Sequence, residues 1–144
     1  MTPEERAKKS ADCMWSTDSA SQHLGMDIQS VGPGTAVITM KVQEFMLNGH
    51  RSCHGGYIFT LADSAFAFAC NSYNENTVAQ HCSVSYLAPG REGMTLTATA
   101  SENFKAGRSG IYDIKVTDET GAHIAQFRGH SRQIKGTHFE EDNS

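Results

Sequence analysis

One long apolar segment, residues 57–71, divides a sequence that otherwise alternates between apolar and polar residues. Apolar residues recur within the segment at i, i+3, i+4, i+7 and i+11, which is the stripe of a helix packed against another surface. The stripe consists mainly of small residues: Ile58, Leu61, Ala62, Ala65 and Ala69. Because small side chains allow a close approach, the segment predicts a helix that lies directly across a β-sheet.

The segments on both sides of this helix repeat every second residue, as strands with one buried face do. Strands are predicted over residues 26–28, 36–42, 77–86, 94–104, 110–117 and 122–134. One helix on a mostly antiparallel sheet makes an α+β domain. At 144 residues the chain has the length of a single domain, over 1–144.

The two ends of the chain carry their own signals. Thr2 suits an N-cap, Pro3 suits the first helical position and Glu5 completes a capping box. These residues predict an N-terminal helix over about 3–22. The last ten residues, about 135–144, are polar and predict a frayed tail.

The composition of the chain limits its partners and its compartment. The net charge is −4 and there is no block of basic residues, so nucleic acid is not an expected partner. The N-terminus lacks the apolar core of a signal peptide, and the longest apolar stretch is too short to span a membrane. Four cysteines without a CxxC pair indicate reduced thiols. We therefore expect a cytoplasmic protein that does not contact a membrane.

Asp63 is the only charged residue of the stretch 52–74, and its same-face neighbours on the helix are apolar: Phe59, Phe66 and Cys70. A carboxylate in such surroundings is unfavourable unless it has partners or a chemical role. Burial would raise its pKa, which suits a general base. The structural alternative is a carboxylate that accepts a hydrogen bond from a nearby hydroxyl, that of Thr60 or Ser64.

The sequence Cys53-His54-Gly55-Gly56 leads directly into the apolar helix. Two glycines let a ligand approach the backbone, and a helix start offers free N–H groups at the positive end of the helix dipole. Such a site can polarise a carbonyl group and stabilise a developing oxyanion. The alternative is a glycine-rich turn that only redirects the chain.

Gly55 and Asp63 are eight residues apart, which is about 12 Å along a helix axis. A carbonyl held at Gly55 and a water held by Asp63 must lie about 3 Å apart to react. One chain cannot easily hold both groups in that way. If the two cooperate, Asp63 should come from a second subunit, which predicts a two-fold dimer with two shared sites.

The loop before the helix allows two rival interpretations. His50, Cys53 and His54 are candidate zinc ligands, although their spacing is short and no fourth ligand is evident. Cys53, His54 and Asn48 could imitate a thiol protease, although residues adjacent in sequence rarely point at each other. Asn48 also forms a common turn pair with Gly49.

The stretch MLNGHRSCHGG at 46–56, continued by FTLADSAF at 59–66, resembles the hotdog-fold acyl-CoA thioesterases, especially those of phenylacetate degradation. The similarity continues through 86–90, 110–114 and 127–129 and covers nearly the whole chain. It implies a hotdog fold, in which a curled antiparallel sheet wraps a long central helix. It also implies a homodimer that assembles into a homotetramer.

The resemblance implies roles for single residues. Asp63 would be the general base or the nucleophile, and the Gly55 N–H would polarise the thioester carbonyl with help from His54. Asn48 would orient the water or the substrate. Relatives also use a serine or threonine near the strand after the helix. Here the nearby positions hold other residues: Ala79, Gln80 and His81.

The expected substrate is an aryl-acetyl-CoA such as phenylacetyl-CoA or hydroxyphenylacetyl-CoA. Gly56 and Phe59 are expected to contact it, and Phe66 and Tyr57 are further candidates for an aromatic wall or for the core. The candidates for CoA binding are polar residues of a later turn: Lys105, Arg108 and Ser109. No metal or organic cofactor is expected, because a carboxylate, water and a helix start suffice.

Two other functions remain open at this point. One is a hotdog acyl-CoA hydratase or dehydratase, whose site pairs an acid with a histidine. The other is a non-catalytic acyl-CoA-binding regulator, which would bind CoA esters and tolerate the loss of Asp63. The sequence carries no appended DNA-binding segment, which counts against the regulator.

Overall fold

The computed structural model describes residues 1–141, in which a six-stranded antiparallel sheet is crossed by one long helix. The helices are α1 (Pro3–Trp15), α2 (Ser19–His23) and α3 (Gly55–Cys70). The strands are β1 (Asp27–Gly32), β2 (Thr35–Lys41), β3 (Thr77–Tyr86), β4 (Thr95–Ala106), β5 (Ser109–Thr117) and β6 (His123–Gln133). The predicted α+β fold is confirmed, and the curled sheet around a central helix is the hotdog arrangement.

The strands lie in the order β1-β2-β4-β5-β6-β3, and all neighbours are antiparallel. Helix α3 carries the chain from β2 to the far side of the sheet, where β3 pairs with β6 alone. Within residues 1–141, the outer edge of β3 therefore has no neighbouring strand.

The core lies between α3 and the alternate residues of β2 and β4. All five residues of the predicted helix stripe are at most 3% exposed. The strands face them with residues that are also buried: Ala36, Ile38, Met40, Leu96, Ala98 and Ala100. Ile38 of β2 and Ala98 of β4 are register partners, so both strands contribute side chains to the same layer. The predicted packing of the helix stripe against a sheet is confirmed.

The N-terminal helix differs from the prediction because it is interrupted after Trp15. The expected capping box between Thr2 and Glu5 is present. The hydroxyl of Ser16 donates to the Cys13 carbonyl (2.7 Å), and Asp18 starts α2 as its N-cap. Serine and aspartate side chains compete with the helix for backbone groups, which explains the break.

The expected frayed tail is wrong for residues 135–141. The side-chain oxygen of Asn74 accepts hydrogen bonds from the backbone N–H groups of His138 (2.9 Å) and Phe139 (3.2 Å). Glu141 forms an ion pair with Arg6 of α1 at 2.9 Å. The tail is held because its backbone finds partners in the turn after α3. Residues 142–144 of the predicted tail lie outside the described residues.

None of the helices in residues 1–141 is both long and apolar enough to cross a membrane. All four cysteines are free thiols, as predicted: Cys13, Cys53, Cys70 and Cys82.

Candidate active site

Asp63 lies midway along α3 and is half-buried. Burial raises the pKa of its carboxyl group above the ordinary value, and the nearby carboxylate of Asp18 adds to the effect. The two hydroxyls proposed as structural partners are bonded elsewhere. Thr60 donates to the Gly56 carbonyl (2.8 Å), and Ser64 shares a hydrogen bond with Ser21 (2.8 Å). No side chain or backbone group within residues 1–141 donates a hydrogen bond to the Asp63 carboxylate.

His54 is the N-cap of α3, and its ring fixes the first turn. Its Nδ1 accepts a hydrogen bond from the Gly56 N–H (3.0 Å), and its carbonyl accepts one from the Tyr57 N–H (3.0 Å). Because Nδ1 is an acceptor in this bond, a neutral ring carries its hydrogen on Nε2. The Gly55 N–H is left without an acceptor in the described part of the chain, at the positive end of the dipole.

The same contact occupies the N–H of Gly56, a residue that was expected to contact the substrate: this N–H is bonded to His54. A side chain at Gly56 would lie 3.3 Å from His54 Nδ1, so the absence of a side chain helps His54 to cap the helix.

A cavity of about 530 Å³ opens beside this helix start. Its walls come from the loop before α3, from α3 and from the segment after β3: Ser52, Cys53, Gly55, Ile58, Tyr86, Leu87, Ala88 and Pro89. Gly55 therefore lies on the wall of a cavity large enough for part of a small-molecule ligand.

Asn48 closes the loop that leads into α3. Its side-chain oxygen accepts hydrogen bonds from the His50 N–H (2.9 Å), the Ser52 N–H (3.2 Å) and the Ser52 hydroxyl (3.2 Å). The turn role of Asn48 is thus present. Its side-chain NH₂ takes part in none of these bonds and is available as a donor.

Gly55 and Asp63 belong to one uninterrupted helix, so they are about 12 Å apart along its axis. Both lie toward β3. Tyr86 of β3 donates to the Gly55 carbonyl at 3.0 Å, and the charge of Asp63 contributes to the raised pKa of Cys82 on β3. Both residues are therefore near β3, the strand with the free edge.

The thiol-protease interpretation of the loop is wrong. Burial raises the pKa of the Cys53 thiol to about 11, so the thiol stays protonated at neutral pH. Its sulfur faces the backbone carbonyl of His54 (3.7 Å), and the imidazole is bonded to Gly56. The zinc interpretation has no support either, because no three His, Cys, Asp or Glu side chains among residues 1–141 are placed to hold a metal.

The aromatic candidates separate into two groups. Phe66 is 1% exposed and packs against Tyr112 (5.7 Å between ring centroids) and Phe127 (6.0 Å), so it belongs to the core. Phe59 and Tyr57 are half-buried and have exposed ring surface. Only these two remain candidates for a substrate wall.

The CoA candidates Lys105, Arg108 and Ser109 are exposed and lie in the β4–β5 hairpin. This hairpin is close to the end of α3, since Cys70 and Arg108 line one small pocket. Along β6, the partners of Tyr86 and Ser109 are seven residues apart, or about 23 Å. In one chain the hairpin is therefore far from Gly55.

Comparison with known proteins fits this geometry. The family model described as the thioesterase superfamily matches residues 50–125. The chain is 46% identical to the acyl-coenzyme A thioesterase PaaI of Escherichia coli over 132 residues, which are 92% of this chain and 94% of that protein. The chain belongs to the thioesterase superfamily.

Solved structures of related proteins agree with this membership of the thioesterase superfamily. The E. coli PaaI protein of the phenylacetic acid degradation operon superposes with a TM-score of 0.93 at 45% identity, over 94% of this chain and 99% of that chain. A Streptococcus mutans protein bound to acetyl-CoA gives 0.75 at 26% identity, over 78% and 90%. The chemistry is hydrolysis of an acyl-CoA thioester bond.

Two features of this thioesterase-superfamily site were missed by the sequence analysis. Asp18 lies near enough to Asp63 to raise its pKa, and Tyr86 is hydrogen-bonded to Gly55. The sequence shows that Asp18 suits an N-cap, but it does not show that Asp18 lies near Asp63. Tyr86 gave no signal beyond its position at a strand end.

Proposed function

We propose that the protein hydrolyses aryl-acetyl-CoA thioesters, such as phenylacetyl-CoA or hydroxyphenylacetyl-CoA, to the free acid and CoA. Each site combines Gly55 of one subunit with Asp63 of another. The proposal rests above all on the half-buried Asp63 carboxylate, whose pKa is raised and which no group of residues 1–141 binds. A carboxylate in that state is suited to act on a molecule outside its own chain.

The free edge of β3 supports a shared site. Val78 and Tyr86 of this strand are 45% and 51% exposed, which is unfavourable for apolar side chains on an unpaired edge. A second copy that paired its β3 antiparallel about a two-fold axis would continue the sheet. The two α3 helices would then run in opposite directions, and Asp63 of each would approach Gly55 of the other. Two such dimers would make the homotetramer.

The reaction follows from the two groups. The Gly55 N–H donates to the thioester carbonyl oxygen, which makes the carbonyl carbon more electrophilic. Asp63 as general base takes a proton from water while the water oxygen bonds to that carbon. The C–S bond then breaks, and the CoA sulfur takes the proton from Asp63. If Asp63 attacks as nucleophile instead, water hydrolyses the resulting anhydride, and the same N–H stabilises the oxyanion.

His54 and Asn48 would support this chemistry in different ways. By accepting the Gly56 N–H, His54 leaves the Gly55 N–H as the free donor of the first turn. The side-chain NH₂ of Asn48 would orient the water or the carbonyl, since its oxygen is already used in the loop.

The acyl group and the CoA would lie on opposite sides of the reacting carbon. Phe59 and Tyr57 offer half-buried rings, and the 51% exposed ring of Phe45 packs on Tyr57 (5.8 Å), which suits an aromatic acyl group.

Arg108 lines a cavity of about 350 Å³ with Lys135, which suits the phosphates of CoA. That cavity shares Arg108 with the small pocket at Cys70, the last residue of α3, which is about 10 Å along the helix from Asp63. It would therefore serve the site to which its own chain contributes Asp63, with Lys105 and Ser109 beside it. No metal or organic cofactor is required.

The first experiment compares CoA release from a panel of acyl-CoA esters by the wild type and Asp63→Asn. We expect the fastest hydrolysis with aryl-acetyl esters and a loss of about two to four orders of magnitude in the variant, which is the scale of general base catalysis. Binding without hydrolysis by the wild type would favour the regulator. Hydration of unsaturated esters would favour the hydratase. Equal hydrolysis by both proteins would contradict the role of Asp63.

A second experiment tests whether the site is shared. Gly55→Pro removes the N–H at a helix position where proline is tolerated, and the extended ψ of His54 (133°) fits a residue before proline. Gly55→Ala is the matched control, because it adds a Cβ at the same place and keeps the N–H. Refolding Gly55→Pro together with Asp63→Asn should restore about a quarter of wild-type activity, because half of the dimers are hybrids with one intact site. No restoration would contradict the shared site.

A further inference from the structure

Tyr86 ends β3 and reaches back to the first residue of α3. Its hydroxyl donates a hydrogen bond to the Gly55 carbonyl oxygen at 3.0 Å, across 31 residues of sequence. The side chain is 51% exposed and forms part of the wall of the 530 Å³ cavity. Tyr86 lies on the strand edge proposed to pair with a second copy, but its hydroxyl is directed at the backbone of its own α3.

The ring also explains why residue 55 has no side chain. A Cβ on Gly55 would lie 2.9 Å from Cζ and 3.1 Å from the hydroxyl oxygen of Tyr86. The φ of Gly55 is not in the left-handed region, so the backbone conformation does not require glycine there. Direct contact between the tyrosine ring and the helix backbone is therefore one structural reason for glycine at residue 55, beside the close approach of a ligand.

The first turn of α3 needs an external constraint. Gly55 and Gly56 have the greatest conformational freedom of any residues, and a helix start is the part that frays most readily. His54 accepts the Gly56 N–H and Tyr86 donates to the Gly55 carbonyl, so both polar groups of the peptide that follows the Gly55 Cα are held. The Gly55 N–H belongs to the preceding peptide, whose carbonyl accepts the Tyr57 N–H. With the peptides on both sides of the Gly55 Cα held, the direction of the Gly55 N–H is fixed.

We propose that Tyr86 is a positioning residue. By holding the peptide that follows the Gly55 Cα, it aims the Gly55 N–H at the thioester carbonyl. The inference rests on the proposed role of that N–H. Tyr86 contacts no reacting atom in this scheme. Tyr86 lowers the activation barrier of hydrolysis because the Gly55 N–H, once fixed, need not reorient when charge develops on the carbonyl oxygen.

The test is Tyr86→Phe, which keeps the ring and removes only the hydroxyl. We expect kcat to fall about five- to tenfold, the effect of one lost hydrogen bond, with KM nearly unchanged. The Gly56 amide proton, which is bonded to His54 and belongs to the same peptide as the Gly55 carbonyl, should exchange faster with solvent when it is followed by NMR. Tyr73→Phe is the matched control, because it removes a hydroxyl bonded to Glu102 (2.8 Å) beyond the other end of α3. Its kcat and its Gly56 exchange should equal those of the wild type.

A double-mutant cycle provides a second measurement that does not depend on Tyr86→Phe. Gly55→Ala should lower kcat and stability in the presence of Tyr86, and less so in the Tyr86→Ala background, where the contact is absent. Additive effects would overturn the inference. An unchanged kcat in Tyr86→Phe would also overturn it, while a strong loss in Asp63→Asn would leave the proposed function standing. If Asp63→Asn is fully active, the proposed site fails and the inference fails with it.

Discussion

The hydroxyl groups of Ser21 and Ser64 lie 2.8 Å apart, and both side chains are buried although 43 residues separate them in sequence. Ser21 donates its hydrogen to Asp18 (2.7 Å), so Ser64 must donate to Ser21. This chain of hydrogen bonds joins α2 to α3 at the residue next to Asp63. It holds the carboxylate of Asp18 where it adds to the effect of burial on the pKa of Asp63.

Asp18→Asn should therefore move the acid limb of the kcat/KM profile to lower pH. In the proposed mechanism the ionised carboxylate of Asp63 is the active form, and without the charge of Asp18 the carboxyl group keeps its proton less tightly. The other titratable neighbours of Asp63 are the thiols of Cys70 and Cys82, which stay neutral at these pH values. Asparagine remains a good N-cap, so α2 should persist.

The control for this shift is Asp12→Asn, which removes an exposed carboxylate of α1 that pairs with Lys8. Its acid limb should coincide with that of the wild type. If the limb is the same in Asp18→Asn as in the wild type, Asp18 does not influence the base.

Asp63→Asn should raise the Tm at neutral pH. A folded-state pKa above the unfolded value means that the folded protein holds this proton more tightly, so stability falls as pH rises from the unfolded value through the folded pKa. Asparagine has no ionisable group, so the variant does not lose stability in this way as pH rises. The gain in Tm should be present at pH 7 and vanish below about pH 4, where the carboxyl is protonated in both states. Thermal denaturation at both pH values measures it, and a lower Tm at pH 7 would contradict the unfavourable burial.

Arg108→Ala should raise KM for CoA esters with little change in kcat. The guanidinium is expected to pair with CoA phosphates, so the effect should weaken as ionic strength increases. N-acetylcysteamine thioesters lack these phosphates and should be hydrolysed equally by variant and wild type. Arg91→Ala, in the loop after β3, is the matched control. A rise in KM with both types of ester would mean that Arg108 does not act by binding the CoA phosphates.

Asn74→Gly should detach the C-terminal tail. The Asn74 side chain makes four hydrogen bonds to the tail, two to Phe139 and one each to His138 and Glu141, and its φ of 59° lies in the left-handed region. Glycine keeps that backbone conformation and removes the bonds, at a cost of about 2 kcal/mol in stability. Asn74→Ala should lose about 1 kcal/mol more through backbone strain. Urea denaturation of both variants would separate the two contributions, and equal stabilities would argue against strain.

Much of the fold could be predicted because its signals are local. The spacing of small apolar residues gave α3, and two-residue alternation gave β2 and β4, since burial on one face leaves a period in the sequence. Asp63 stood out because charge is rare on an apolar helix. His54 and Gly55 could be predicted for the same reason, because they stand at the start of this helix.

The remainder depends on contacts that leave no period in the sequence. The bonds from Tyr86 to Gly55 and from Asn74 to the tail join residues 31 and 64–67 positions apart, each through one side chain. Phe59 and Phe66 both pack against Phe127 (5.2 and 6.0 Å), yet only Phe66 also packs against Tyr112 (5.7 Å) and is fully buried. Which of these contacts form depends on how the strands and helices pack together in the folded chain.

The unpaired edge of β3 also has a consequence for the life of the newly made chain. In the proposed dimer this edge is covered, so a folded subunit that has not yet met its partner presents ten residues of open strand, from Thr77 to Tyr86, to any extended segment nearby. Assembly then competes with aggregation, and both accelerate with concentration. Slow synthesis, low temperature or a holding chaperone should increase the yield of correctly assembled protein during overexpression.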